Sequence, residues 1–274
     1  MRELEQPAAG PLPAPGPNIS RPSQRLLLPV LGAIVVLAWL TLWWLEQSSF
    51  GGLFHRHGGG AHAHHGRTAG SLATLAFLAG WLLMTIAMML PTTVPLADQF
   101  RRMISQRTNT TLLSGLLLAG YLTAWLVFGL AALLLLAGID NIIARSDWLA
   151  AQPWVTGAGL FLLAGAFQFT TLKYACLDKC RSPTGFLISH WHGRNEQLES
   201  FNIGWRHGLF CVGCCWALML LMFAVSTASL LWMLVLALIM AIEKNMPWGR
   251  RISRPLGWTL LATGVLIGIY HLVP

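Results

Sequence analysis

Seven stretches of this chain are long, apolar and almost free of charge, and no single water-soluble core can bury them all. Three are unbroken: Leu26–Leu45, Leu112–Ala137 and Trp258–Val273. Four are interrupted by polar or proline positions: Ser71–Leu90, Trp154–Leu172, Gly208–Ala224 and Ser229–Ile242. A helix crossing the hydrocarbon of a bilayer needs ~20 apolar residues. Charged residues make up 10% of the chain, whereas soluble domains carry about 25%. The expected fold is all-α: a polytopic membrane helical bundle of about seven transmembrane helices.

Basic residues orient it. With the seven spans alternating from a cytoplasmic N-terminus, only Arg56, Arg67 and Arg145 of the 18 Lys and Arg fall outside. The others collect on the cytoplasmic side, as the positive-inside rule requires. The net charge of +8 therefore reports topology, and nucleic acid is not an expected partner.

Residues 1–24 are rich in Pro, Ala and Gly, without an apolar period, and read as a disordered cytoplasmic tail. They are too polar for the core of a cleaved signal peptide. Residues 25–274 form the membrane domain, with an external His-rich loop at 46–70 and a cytoplasmic loop at 173–206. Trp43, Trp44, Trp148, Trp154 and Trp232 fall near outer borders, where indole favours the headgroups. The short link around Ser226–Ala228 predicts antiparallel neighbours on either side.

Five cysteines carry the sharpest chemical signal. Cys176 and Cys180 lie at the inner end of the fourth span, and Cys211, Cys214 and Cys215 in the inner part of the fifth. The cytoplasm is reducing, which favours thiols, metal or redox chemistry over structural disulfides. Residues three and four apart share a helix face, so His207, Cys211, Cys214 and Cys215 form one stripe that Met222 extends. Cys176 and Cys180 pair in the same way if the helix continues past Lys173. Thiolate and thioether select Cu(I), whereas mixed Cys and His sets also suit Zn(II). One or two cysteines in a membrane helix are ordinary packing residues. Five at one depth, headed by a histidine, favour a metal.

Met84 and Met88 share a face with Pro91, Thr92 and Pro95, near the same inner end. Met233, Met240 and Lys244 share a face of the sixth span. Methionine is a routine gap-filler, so these matter only where they meet the cysteines. Glu243 has two readings: a helix-end carboxylate snorkelling to water, or a ligand and proton acceptor facing the bundle. His55, His57, His62, His64 and His65 make a glycine-spaced external tract suited to weak metal capture without fixed geometry.

The sequence contains no GxxxxGK[ST], GxSxG or HExxH motif, and enzyme chemistry is not the first reading. The stretches Ala87–Pro91, Lys173–Pro183, Gly204–Met219 and Trp232–Lys244 resemble a bacterial family of predicted metal-binding integral membrane proteins. That family is a domain of unknown function whose members are sometimes labelled copper chaperones. The resemblance covers roughly residues 71–250. It implies a multi-pass protein of the bacterial inner (plasma) membrane and metal binding, with copper as the expected metal; the mixed Cys and His donors leave zinc possible. Taken together, these residues favour Cu(I) handling, with copper passed to or from a partner protein. The alternatives are a membrane thiol-disulfide oxidoreductase cycling Cys211 and Cys214, or a metal ion transporter using the same ligands.

Overall fold

The computed structural model describes residues 22–47, 67–152, 154–224 and 230–272, and among them the regular elements are helical. Helix α1 (Pro22–Gln47) is followed by α2 (Arg67–Met103), α3 (Thr110–Ala144) and the single turn α4 (Asp147–Ala150). Next come α5 (Trp154–Phe167), α6 (Thr171–Arg181) and α7 (Pro183–His190). The long α8 (Glu196–Ala224), α9 (Leu230–Asn245), a 3-10 turn at Gly249–Arg251 and α10 (Ser253–Leu272) complete the chain.

Five of these helices are long and apolar enough to cross a membrane: α1, α2, α3, α8 and α10. A sixth crossing exists if α5 and α6, bent by 66° at their junction, count as one broken span. Each expected stretch is helical, but the fourth breaks after the 14-residue α5, and α9 has only 16 residues. At 1.5 Å per residue it reaches ~24 Å, short of a ~30 Å hydrocarbon core. The expected loop at 173–206 is largely helical, because α6, α7 and the first turns of α8 occupy it. The turn before α8 is held by Glu199, whose carboxylate accepts the backbone N–H groups of His192, Gly193, Arg194 and Asn195. The expected tail falls mostly outside the described residues, as does the tract from His55 to His65.

The central contact is between α3 and α8, and glycine makes it possible. A Cβ at Gly208 would lie 2.6 Å from Ala124 Cβ, and one at Gly204 would strike the Leu117 carbonyl. Small residues at four-residue spacing let membrane helices approach this closely, because lipid offers no hydrophobic drive for association and packing must supply it. Around this pair, α1 packs on α2, α10 on α5, and α9 chiefly on α2. Large apolar side chains on the outer faces of α1, α3 and α10, such as Leu37, Leu134 and Val265, remain exposed. That is the expected surface of a bundle solvated by hydrocarbon.

Two prolines lie inside α2 without ending it. Pro91 has no N–H for the Ala87 carbonyl, which instead accepts Trp39 Nε1 from α1 at 3.1 Å. Thr92 and Thr93 return their hydroxyls to Met89 and Leu90 carbonyls at 2.8 Å. Broken backbone bonds in a membrane helix survive where such neighbours satisfy them.

The basic segments gather at one end of the bundle. Arg107 pairs with Glu196 at 2.9 Å and Arg250 with Asp178 at 3.2 Å. Arg181 donates to the carbonyls of Glu243 at 2.6 Å and Pro247 at 3.0 Å.

Candidate metal centre

The close approach of α3 and α8 brings Tyr121 against Cys211, with the hydroxyl 3.1 Å from Sγ. The same hydroxyl reaches the Met89 carbonyl at 3.2 Å, tying α2 to the pair. Met89 then projects its thioether to 3.9 Å from Cys215 Sγ. Into this group comes Lys244 from the last turn of α9. Its Nζ is 2.9 Å from Cys211 Sγ, 3.5 Å from Met89 Sδ and 3.6 Å from Cys215 Sγ. Two thiols and a thioether thus surround one cationic group, and every member is buried.

The helical stripe on α8 orients these donors. Cys214 and Cys215 return their thiols to the Cys211 carbonyl at 3.1 and 2.9 Å. One turn earlier, His207 is 3% exposed, and its Nδ1 has no hydrogen-bond partner. A buried polar atom without a partner costs about 1–3 kcal/mol. On α6, Cys176 and Cys180 pack against the same core, with Cys176 Sγ lying over Gly213, where a Cβ would sit 2.6 Å away. None of the five cysteines is in a disulfide.

The bend before α6 explains how its cysteines reach α8. The helix does not run on past Lys173 from α5; it restarts at Thr171, with the Thr170 hydroxyl accepting the Lys173 N–H. The expected Cys176–Cys180 pair is therefore formed on a new helix turned across the bundle end.

Several predicted ligands stand elsewhere. Glu243 does not face the sulfur atoms and does not snorkel. Its carboxylate accepts Lys173 Nζ at 2.8 and 2.9 Å and the Ser253 hydroxyl at 2.6 Å, with Gln168 also bonded to Lys173. Met222 lies seven residues beyond Cys215 on α8, a rise of ~10 Å, so one ion cannot hold both. Met84 is five residues from Met89, ~7.5 Å along α2, and Met88 points about 100° away around that helix. All three belong to the core around the cysteines, and the sulfur contacts of Lys244 Nζ are to Met89, Cys211 and Cys215 instead. Among the described residues, no three His, Cys, Asp or Glu side chains form a metal shell by themselves. The grouping at Lys244 draws its third donor from methionine.

Sequence reasoning passed over Met89, Tyr121 and the placement of Lys244. A signal for Met89 existed: Thr85, Thr92 and Thr93 share its side of α2 and are buried. Polar residues in a membrane helix turn towards the protein interior, so that face points inward.

Soft donors can hold a monovalent soft cation, and the grouping already accommodates a positive charge. The described residues define the class: an all-helical protein with several helices long and apolar enough to cross a membrane, and with two thiols and a thioether gathered around one buried lysine. Residues 78–267 match the PpoB2 family, described as copper chaperone, and the chain belongs to that family. No curated protein and no solved structure matches the chain.

Proposed function

We propose that the protein handles Cu(I) within the membrane, taking the ion at Cys211, Cys215 and Met89 and passing it on by ligand exchange. The observation that carries this reading is the convergence of two thiols and a thioether on one buried cationic group. Copper here is cargo. Cys180, Cys214 and Cys176 offer further thiols nearby, and His207 offers a buried ring nitrogen with no other partner. Cu(I) accepts soft sulfur donors readily, and a surplus of them lets the ion move between partial sets without a free intermediate. The partner would be a copper-donating or copper-receiving protein. Thioether is a poor ligand for Zn(II), so Met89 favours copper over zinc.

The proposed setting is a bacterial inner membrane with seven crossings, α9 being the short one, and the N-terminus in the cytoplasm. The pocket then lies in the cytoplasmic half, and the tract His55–His65 faces outward as a weak metal collector. Reporter fusions at Arg194 and Gly59 should report opposite sides; the same side for both refutes the topology.

Competition with a calibrated Cu(I) chelator under reducing conditions tests the function. Binding should be tight in the intact protein and should weaken at least tenfold, about 1.4 kcal/mol, in Cys211→Ser and in Cys215→Ser. Binding that survives both substitutions and is lost on deleting 55–65 overturns the proposal.

A further inference from the structure

Among the described residues, no carboxylate lies within ion-pairing distance of Lys244. The neighbouring Glu243 is committed to Lys173, and the contacts of Lys244 Nζ are to Cys211, Cys215 and Met89. Holding a buried ammonium against sulfur, when a carboxylate one residue away could have served, is costly for stability alone. We propose that the Lys244 ammonium and Cu(I) are alternating occupants of the same sulfur pocket, and that this exchange sets the pocket's preference for a monovalent ion.

This inference rests on the copper reading above. With Cys211 a thiolate 2.9 Å from the ammonium, and Cys215 keeping the proton it gives the Cys211 carbonyl, the exchange conserves charge. N–H···S contacts break as Cu–S bonds form, the lysine keeps its protons, and copper stays in the +1 state. One unit of positive charge leaves the low-dielectric pocket as one enters. A divalent ion such as Zn(II) would add an extra charge, and uncompensated charge in such surroundings is heavily penalised. The displaced lysine has a place to go. It sits one residue before the end of α9, at the basic end of the bundle, and its four-carbon stem can carry the ammonium to water. The resident cation would also ease release, because it returns to the sulfur atoms as copper departs.

Amine labelling of the unaltered protein tests the exchange directly. The chain has three lysines: Lys173 is buried in its ion pair, Lys179 is exposed and serves as an internal reference, and Lys244 is the probe. A water-soluble acylating reagent followed by peptide mass spectrometry should modify Lys179 throughout, and Lys244 only after Cu(I) loading. Separately, Lys244→Leu and Lys244→Gln should bind Zn(II) better, lowering the Cu(I)-to-Zn(II) affinity ratio by at least about tenfold. Should the protein bind Cu(I) through Cys211 and Cys215 while Lys244 labelling stays unchanged by copper, the exchange is wrong and the copper site stands. An unchanged metal ratio in both variants overturns the selectivity role. Should the intact protein bind no Cu(I), both readings fall together.

Discussion

Glu243→Gln should be among the most damaging single substitutions in this protein. The carboxylate and the Lys173 ammonium it binds are 3% and 0% exposed as side chains, with two N···O contacts of 2.8 and 2.9 Å. Replacing one partner leaves a buried charge whose remaining side-chain partner is the Gln168 carbonyl oxygen. Losses of this kind cost about 3–5 kcal/mol. Removing both charges with apolar residues of similar volume, as in Lys173→Met with Glu243→Leu, leaves no uncompensated charge and deprives two neutral groups of these partners, the Ser253 hydroxyl and the Gln168 carbonyl oxygen. The double variant should therefore recover most of the loss. The assay is reversible unfolding in mixed micelles on the two single variants and the double variant, read as a thermodynamic cycle. The reasoning is refuted if Glu243→Gln alone costs under about 1 kcal/mol, or if the double variant loses as much as the sum of the singles. The pair also fixes the last turn of α9, so the single variants should loosen Lys244 from the sulfur atoms.

Other outcomes follow from the same geometry. Met89→Leu should weaken Cu(I) binding about tenfold or more, whereas Met222→Leu, a similar change ~10 Å away along α8, should leave it within about twofold; chelator competition separates them. Gly204→Val places side-chain atoms against the Leu117 carbonyl and should destabilise the bundle by about 1–3 kcal/mol or more in the unfolding assay. Trp39→Phe frees the Ala87 carbonyl that Pro91 cannot serve and should cost about 1 kcal/mol by the same assay.

The helices were legible because each expected apolar run, such as Leu112–Ala137, carries its own solvation preference, independent of its neighbours. The cysteine stripe on α8 was legible for a similar local reason, since helical spacing alone aligns His207, Cys211 and Cys215. What escaped was whatever depended on two helices at once. Met88 and Met89 differ by one residue, and only the docking of α2 on α8 and α9 decides which sulfur meets Cys215. Glu243 and Lys244 are adjacent and share a helix end, but they face opposite needs: one answers Lys173 across α6, the other answers the sulfur atoms. No periodicity announces that division. The bend at 168–170 was hidden too, because the polar residues Gln168 and Thr170 read as an interruption and gave no sign of a 66° turn.

Copper bound in this protein should sit among sulfur atoms within the bundle. X-ray absorption at the copper edge, on the full chain loaded with one equivalent of Cu(I), addresses it most directly. Cys211, Cys215 and Met89 predict three sulfur neighbours and no nitrogen or oxygen, with one sulfur lost in Met89→Leu. A first shell dominated by imidazole nitrogen, unchanged by Met89→Leu and abolished by removal of the tract His55–His65, would contradict it.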